Sequence, residues 1–583
     1  MNKVTVKING VSVTVPVGTT ILDAAYKAGF EIPTLCYMRG ASEIGSCRVC
    51  VVELVGSRTP VASCVYRCDR DGMEIYTNTP KIIEYRRKTL ELMVSNHKKE
   101  CLSCVRSGDC ELMRLCHHYD VQENNRYEGE MTPSEPDTSP PHMIKDTGKC
   151  ILCRRCVAIC AAGQGINAIG PNNRGFKTEI GSPFKMHLDR TACVSCGQCI
   201  AVCPTGALKE KSSTDEVMAA IDDPTKTVII QTAPAVRAAI GECFKMPAGT
   251  NTQGKLVASL RRLGFDYVFD TNFGADLTVM EEATELMERV KNDGPLPLMT
   301  SCSPAWVKYC ETYFPEFIPN LSTCKSPQQM FGAIAKTWWA KKMGIDPKNL
   351  VVVSAMPCTA KKFELMRDGE AAAGVPDVDY AITTRGIATM ISMAGIRFSE
   401  LPDEEYDDPL GFSSGAGAIF GSSGGVAEAS LRTAYEMLTG RESPTPNFIE
   451  MRGVGGTKRA QYDIDGMQLR VAVTSGLANA RRLLEAVRDG KESYHMIEVM
   501  ACPGGCVNGG GQPQVMHGAR HYTEVRSKRA SVLYNIDENK SVRAAHENDA
   551  VQQLYDEFLG SPGSELCHEL LHTHFVDRSD LYK

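Results

Sequence analysis

Alternation of polar and apolar positions opens the chain. Val4 to Val17 keeps a period of two on both sides of Asn9-Gly10, which predicts two short strands joined by a tight turn. Thr20 to Ala28 (TILDAAYKA) then takes helical spacing and stops near Gly29. Ile82 to Ser95 places apolar residues three and four apart, predicting a longer helix. Glu128 to Pro141 (EGEMTPSEPDTSPP) carries no packing pattern and reads as an acidic, proline-rich surface connection. Beyond residue 213 the periods alternate. Thr227 to Gln231, Tyr267 to Asp270 and Leu350 to Ser354 predict strands; Asp276 to Val290, Ser326 to Lys342, Gly386 to Ala394, Gly424 to Leu438 and Leu477 to Asp489 predict helices. Such alternation argues a mixed α/β domain with ligands at strand ends. Gly411 to Gly425 (GFSSGAGAIFGSSGG) reads as a loop. It lacks the context of a phosphate cradle and suits close backbone approach to an inorganic group.

Length changes the picture first. A chain of 583 residues exceeds what one core supports, so several domains are expected. The pattern shifts divide it into 1–80, 81–125, a linker at 126–140, 141–212, 213–545 and a tail at 546–583. A formal charge of -6 leaves no basic footprint for nucleic acid. No apolar run reaches the ~18 residues of a membrane span, and the strand-like start does not resemble a signal peptide. The outlier is the 25 cysteines. Disulfide scaffolds belong to small secreted chains, so the expectation is reduced, metal-binding thiols in a cytoplasmic protein.

Cysteine spacing supplies the chemistry. Cys36, Cys47, Cys50 and Cys64 follow the general plant-type [2Fe–2S] pattern, with a longer first loop, and Cys68 reads as a plain buried thiol. His97 stands four residues before Cys101, with Cys104 and Cys110 following. A His/Cys3 set suits a [4Fe–4S] cluster or, equally, zinc, and Cys116 and His117 are spare candidates. Cys150-x2-Cys153-x2-Cys156-x3-Cys160 is echoed by Cys193-x2-Cys196-x2-Cys199-x3-Cys203-Pro204. In such duplicated ferredoxins the fourth cysteine of each run serves the other cluster. Cys150, Cys153, Cys156 and Cys203 would then hold one cubane, and Cys193, Cys196, Cys199 and Cys160 the second.

Three further segments, TSCSPAW (Thr300 to Trp306), MPCTAKKFE (Met356 to Glu364) and ACPGGCVNGGGQP (Ala501 to Pro513), set cysteine beside proline or glycine. Together they resemble the active-site motifs of the iron-only, or [FeFe], hydrogenases, and the upstream cysteines resemble that family's electron-transfer sites. The likeness covers roughly residues 1–540. The N-terminal domain and the His/Cys3 set also resemble parts of the respiratory NADH dehydrogenases.

The resemblance implies a multidomain α+β protein. Its parts would be a β-grasp plant-type ferredoxin domain, a small helical His/Cys3 domain, a two-[4Fe–4S] ferredoxin domain and a large mixed α/β hydrogenase domain. The last would hold an H-cluster, a [4Fe–4S] cubane joined to a two-iron unit with carbonyl, cyanide and a bridging dithiolate. Cys358, Cys502 and Cys506 become cubane ligands, with Cys506 bridging. Lys361 would pair with cyanide unless it is a surface lysine; Met356, Met500, Pro234 and Gln328 would line the cavity. Glu282, Glu285 and Ser322 would pass protons, or else mark a solvated helix face and a polar turn. The family usually carries two adjacent cysteines in its first motif, and this chain has Cys302 followed by Ser303. Position favours Ser303 as the fourth ligand and thiolate chemistry favours Cys302; the second is the expectation, with a relay role for Cys302 as the alternative. Maturation enzymes would supply the two-iron unit. The expected activity is reversible hydrogen oxidation, with a hydrogen sensor, a cluster-assembly factor and an electron-input subunit of a respiratory or formate-oxidising complex as the other readings. Because no dinucleotide or flavin fingerprint is evident, the layout resembles the catalytic subunit of multi-subunit, electron-bifurcating, NAD(P)-linked hydrogenases. A separate flavoprotein, a small [2Fe–2S] protein and ferredoxin would be its partners. Val551 to Tyr582, with three histidines and Cys567, reads as a docking or capping segment rather than a metal site.

Overall fold

The computed structural model describes residues 2–122, 127, 130–132, 134–441, 443, 447–464, 466–515 and 517–581. The expected linker at 126–140 falls partly outside them. At the N-terminus, β1 (Lys3–Ile8) and β2 (Val11–Pro16) form the expected antiparallel hairpin. Asn9 and Gly10 take φ of 48° and 86°, the twin left-handed pair of a tight hairpin turn. With β3 (Val51–Leu54), β4 (Val61–Ala62) and β5 (Glu74–Tyr76) they make a sheet of order β2-β1-β5-β3-β4. The Ile21–Lys27 helix, capped by the Thr20 hydroxyl, closes its core. The next helix, Pro80–Ser95, reaches back: buried Arg86 donates to the Val49 and Val51 carbonyls at 3.1 and 2.8 Å, fastening the loop that carries Cys47 and Cys50.

Two short antiparallel pairs, β6 (Met143–Lys145) with β9 (Leu208–Glu210) and β7 (Gly170–Asn172) with β8 (Glu179–Gly181), frame the duplicated cysteine runs. The large domain holds two sheets. One, β11-β10-β13-β14, is all parallel, from β10 (Thr227–Thr232), β11 (Tyr267–Asp270), β13 (Leu350–Met356) and β14 (Tyr380–Thr383). Helices cover both faces, which is why β13 reads LVVVSAM without alternation. The second, β12-β17-β16-β15, joins β12 (Leu298–Met299), β17 (Met496–Met500), β16 (Met467–Ser475) and β15 (Thr457–Ile464), with the β15–β16 pair antiparallel. The C-terminal ends of β10, β12, β13 and β17 run into Pro234, Cys302, Cys358 and Cys502 respectively. Ligand sites form at such strand ends.

The glycine-rich segment departs from the expected loop. Gly415–Ile419 is a buried helix whose Ser414 cap donates to Asp276 while accepting from Gly417 N–H. The expected Ser326 to Lys342 helix contains a wider turn at Ala335–Trp339. The Asp276 to Val290 prediction lies in Thr271–Lys291, and this helix is mostly buried rather than solvated. In the tail, Asp549–Leu554 and Glu565–Leu571 pack their apolar faces into the core beside Phe331 and Trp339. Among the described residues no helix is long and apolar enough to cross a membrane.

Candidate active site

The accessory cysteines are gathered by the loops that flank these elements. Cys36, Cys47, Cys50 and Cys64 are buried together: Cys47 N–H points at Cys36 Sγ (3.5 Å), and the Cys50 and Cys64 sulfurs lie 3.3 Å apart. Cys68 is buried nearby, and burial pushes its thiol up to about 11. His97 is half-buried with Nδ1 unpartnered among the described residues, while Cys101 is exposed. Cys110 starts the Glu111–His118 helix, and Glu111 N–H donates to Pro204 O at 3.1 Å. His117 is exposed. A Cβ placed on Gly206 would lie 2.5 Å from Cys104 Sγ, so the His/Cys3 region touches the segment just after Cys203. Arg155 reaches the Glu111 carboxylate with two bonds of 3.0 and 3.1 Å, and Arg520 joins them, locking three regions together.

A cavity of about 480 Å³ is lined by Cys150, Cys153, Cys156 and Cys203. Cys193, Cys196 and Cys160 form a separate neighbourhood in which burial, then the adjacent thiols, push Cys196 above its ordinary range. That neighbourhood abuts the large domain. Thr359 donates to Ser195 O at 2.8 Å, Gln198 donates to Asn508 O at 2.9 Å, and a Cβ on Gly510 would lie 2.4 Å from Cys196 O. Among the described residues no three His, Cys, Asp or Glu side chains close on a point as they would around one ion.

The central cavity, about 820 Å³, is lined by Cys302, Ser303, Cys358, Cys502, Cys506, Lys361, Met356, Met500, Pro234 and Gln328, with Cys196 at one wall. All three motifs thus converge, and the lining is apolar apart from thiols and a few polar groups. Burial, then Cys358 and Cys196, push the Cys502 thiol well above its ordinary range; burial, then Cys358, push Cys506 up to about 12. Thiols so placed are disfavoured as bare anions against an apolar wall and suit a cationic metal cluster. The donor set therefore fits an iron–sulfur group. Lys361 is buried, not a surface lysine: its Nζ donates to Ser326 Oγ (2.7 Å), Glu364 (2.8 Å) and Cys302 O (3.4 Å). Gln328 spans Ser354 Oγ and Glu364, which fixes its amide at the rim.

The two residues of the first motif face different ways. Cys302, like Cys506, packs against the apolar cluster that holds Phe420 and Met500, and burial, then Glu282, push its thiol well above the ordinary range. Ser303 precedes the Pro304–Tyr313 helix in the position where a serine normally caps, yet makes no cap; Ala501 N–H, beside Cys502, points at its Oγ from 3.4 Å. Behind Cys302 lies Glu282, 1% exposed, with neither oxygen hydrogen-bonded among the described residues. The Ser301 N–H and Ser322 hydroxyl are near it but outside bonding geometry. Burial, then Glu285, raise Glu282 to about 8. Ser322 Oγ donates to Glu285 at 2.8 Å, and Arg289 holds the same carboxylate at 2.6 Å. Sequence reasoning missed Ser326, Glu364 and Arg289. The i, i+3 spacing of Lys361–Glu364 and the i, i+4 spacing of Glu285–Arg289 were the available signals.

Comparison with known proteins agrees with this geometry. Residues 226–510 match the C-terminal domain of the iron only hydrogenase large subunit, and residues 523–578 the iron hydrogenase small subunit. Residues 1–80 match a 2Fe-2S iron-sulfur cluster binding domain, 86–125 the NADH-ubiquinone oxidoreductase-G iron-sulfur binding region, and 149–207 a 4Fe-4S dicluster domain. The NADP-reducing hydrogenase subunit HndD of Solidesulfovibrio fructosivorans is 47% identical over 592 residues, covering 100% of both chains. Iron hydrogenase 1 of Clostridium pasteurianum is 42% identical, over 97% of this chain and 99% of its own. Among solved structures, an apo form of the hydrogenase HydA1 from Chlamydomonas reinhardtii is 41% identical with a TM-score of 0.57, covering 63% of this chain and 99% of its own. The chain belongs to the [FeFe]-hydrogenase family. It combines N-terminal iron–sulfur domains with a large α/β hydrogenase domain, and it catalyses reversible hydrogen oxidation at an H-cluster, relaying electrons through iron–sulfur clusters.

Proposed function

We propose that this chain is the hydrogen-activating subunit of a cytoplasmic, NAD(P)-linked complex. Electrons would run from the central cavity through two [4Fe–4S] cubanes and a His/Cys3 [4Fe–4S] cluster to a plant-type [2Fe–2S] cluster in a β-grasp domain. The convergence of all three motifs on one cavity beside Cys196 carries this reading. Contacts at Gly510–Cys196 and Gly206–Cys104 support the order of the relay, and the five-stranded sheet with its packed helix supports the β-grasp assignment. Identity over the whole length of an NADP-reducing subunit supports a flavoprotein partner that binds the nicotinamide, a small [2Fe–2S] protein, and ferredoxin. Maturation enzymes would load the two-iron unit.

Within the cavity, Cys358, Cys502 and Cys506 would hold the cubane, with Cys506 shared with the two-iron unit. Ser303 Oγ, turned toward Ala501 beside Cys502, would take the fourth corner. This differs from the expectation from thiolate chemistry and rests on Cys302 having Glu282 behind it, whereas Ser303 Oγ lies by the Ala501 N–H beside Cys502. When bound, the group supplies heterolytic cleavage of hydrogen. The chain's own residues then handle the proton: the Cys302 thiol accepts and releases it, Glu282 receives it, and Ser322 passes it to Glu285 at the Arg289 end. Lys361 presents a fixed ammonium at the wall, and Met356, Met500, Pro234 and Phe420 exclude water.

The test uses the purified, matured chain. Carbonyl and cyanide infrared bands with hydrogen-dependent reduction of a one-electron dye or ferredoxin, but not of NAD(P)⁺, are expected. Direct NAD(P)⁺ reduction by the flavin-free chain would refute the partner assignment.

A further inference from the structure

The helix that carries Glu282 and Glu285 also carries Glu281, and the C-terminal segment is built onto that third carboxylate. Glu281 accepts from Tyr555 Oη at 2.5 Å and from Gly563 N–H at 3.0 Å, and His572 Nε2 lies 3.2 Å away. The other ring nitrogen, His572 Nδ1, lies 2.7 Å from Thr323 Oγ1. Thr323 in turn rests its backbone N–H on both Glu285 oxygens, at 3.3 and 3.2 Å, and follows Ser322, which donates to the same carboxylate. Backbone pairing fixes the register: Thr573 N–H donates to Thr323 O and Lys325 N–H to Leu571 O, both at 2.8 Å. The His572 side chain is 8% exposed, and the exposed His568 ring lies against it, tilted by 45° with centroids 4.4 Å apart.

We propose that His572 is a positioning residue of the proton route, supplied by the C-terminal segment, and that its protonation state sets the direction of the Thr323 hydroxyl beside Glu285. This rests on the Cys302–Glu282–Ser322–Glu285 route given above. A neutral ring that donates from Nε2 to Glu281 has a lone pair at Nδ1, so Thr323 O–H donates to it. Taking one proton from solvent past His568 makes both nitrogens donors. Nδ1–H then points at Thr323 Oγ1, and the hydroxyl proton must turn to another acceptor. No electron moves and no bond to carbon changes. The groups facing the ring are Glu281 from the helix, Tyr555 and Cys567 (through Glu281) and His568 from the C-terminal segment, and Cys324 and, through Thr323, Glu285 from the opposite loop. Two carboxylates to one imidazole make protonation a local charge change that Glu285 must feel.

The experiment compares matured wild type with His572→Gln, His572→Ala and Glu282→Gln, by iron content and by hydrogen–deuterium exchange of H2 in D2O across pH 5 to 8.5. This exchange reads proton delivery without external electron transfer. His572→Gln, which keeps a donor and an acceptor but cannot take up the second ring proton, is expected to retain iron and to flatten the exchange profile relative to wild type across the pH range measured. His572→Ala, which frees Thr323, is expected to lose about tenfold or more at every pH, since a small misplacement near the chemistry costs up to about 10². If the alanine variant loses iron, the glutamine variant alone decides. A wild-type profile in His572→Gln overturns the inference. Full exchange in Glu282→Gln sinks the route itself, whereas collapse there with an unaltered His572→Gln profile sinks the role of His572 alone.

Discussion

Replacing Cys302 by alanine separates the two residues of the first motif. With Ser303 at the fourth cubane corner, Cys302→Ala leaves a cubane's worth of iron in place and removes one proton carrier. Positioned acid–base transfer contributes about 10²–10⁴-fold, which is roughly 3–5.5 kcal/mol of barrier at 1.36 per decade. The upper half of that range is expected. After burial, Glu282 is the largest influence on the Cys302 thiol, and Glu282 makes no hydrogen bond among the described residues. Ser303→Ala should do the opposite, depleting iron by at least the about 10–100-fold in affinity that loss of even an outer metal partner costs. Ser303→Cys should retain iron more firmly, with a shifted spectrum. The assay is iron per chain and electron paramagnetic resonance of reduced protein purified without the two-iron unit, where the accessory clusters add the same background to every variant. Hydrogen turnover follows on matured samples. Loss of the cubane in Cys302→Ala with full occupancy in Ser303→Ala would return the ligand to Cys302 and refute the reasoning.

Glu282→Gln should abolish most exchange and also change the pH response of hydrogen evolution. The wild-type carboxyl, raised to about 8, is a proton donor below that pH and fades above it. Because its folded value lies above its unfolded one, its ionisation also removes stability as pH climbs toward 8. Melting curves of the glutamine variant should therefore be flatter with pH between 5 and 8, and equal slopes would contradict the burial argument. Gly510→Ala places a methyl 2.4 Å from Cys196 O and 2.7 Å from Gly197 Cα; dye reduction should slow while hydrogen–deuterium exchange persists. Arg155→Met leaves Glu111 buried with Arg520 alone. A loss of about 3–5 kcal/mol is expected by chemical denaturation, and a change below 1 would mean that the pair contributes little.

Much of the layout was legible because its chemistry leaves few alternatives. Asn9-Gly10 announces a hairpin since both positions need positive φ, and the duplicated cysteine runs admit few readings besides a pair of clusters. Orientation was harder to read. Cys302 and Ser303 are adjacent before Pro304, and one peptide unit decides which has Glu282 behind it and which meets the Ala501 N–H. Glu281 and Glu282 have the same chemistry, yet at 3.6 residues per turn they point about 100° apart. One meets Tyr555 and His572, whose positions depend on chain folding from nearly 300 residues away; the other meets Cys302. The Gly415–Ile419 helix was hidden because a glycine-rich segment has poor helix propensity. Its Ser414 cap and buried Asp276 overcome that in the tertiary setting.

The fastening of Glu281 by the last helices also has a consequence for synthesis. Glu281 and His572 stand 291 positions apart. At about 5–20 residues per second, roughly 15–60 s pass between emergence of the helix and of the segment that encloses it. The N-terminal cluster regions leave the ribosome earlier still. The wall around the carboxylates is completed only once the segment carrying Tyr555 and His572 has emerged, so the hydrogen-splitting site remains open on that side for that interval.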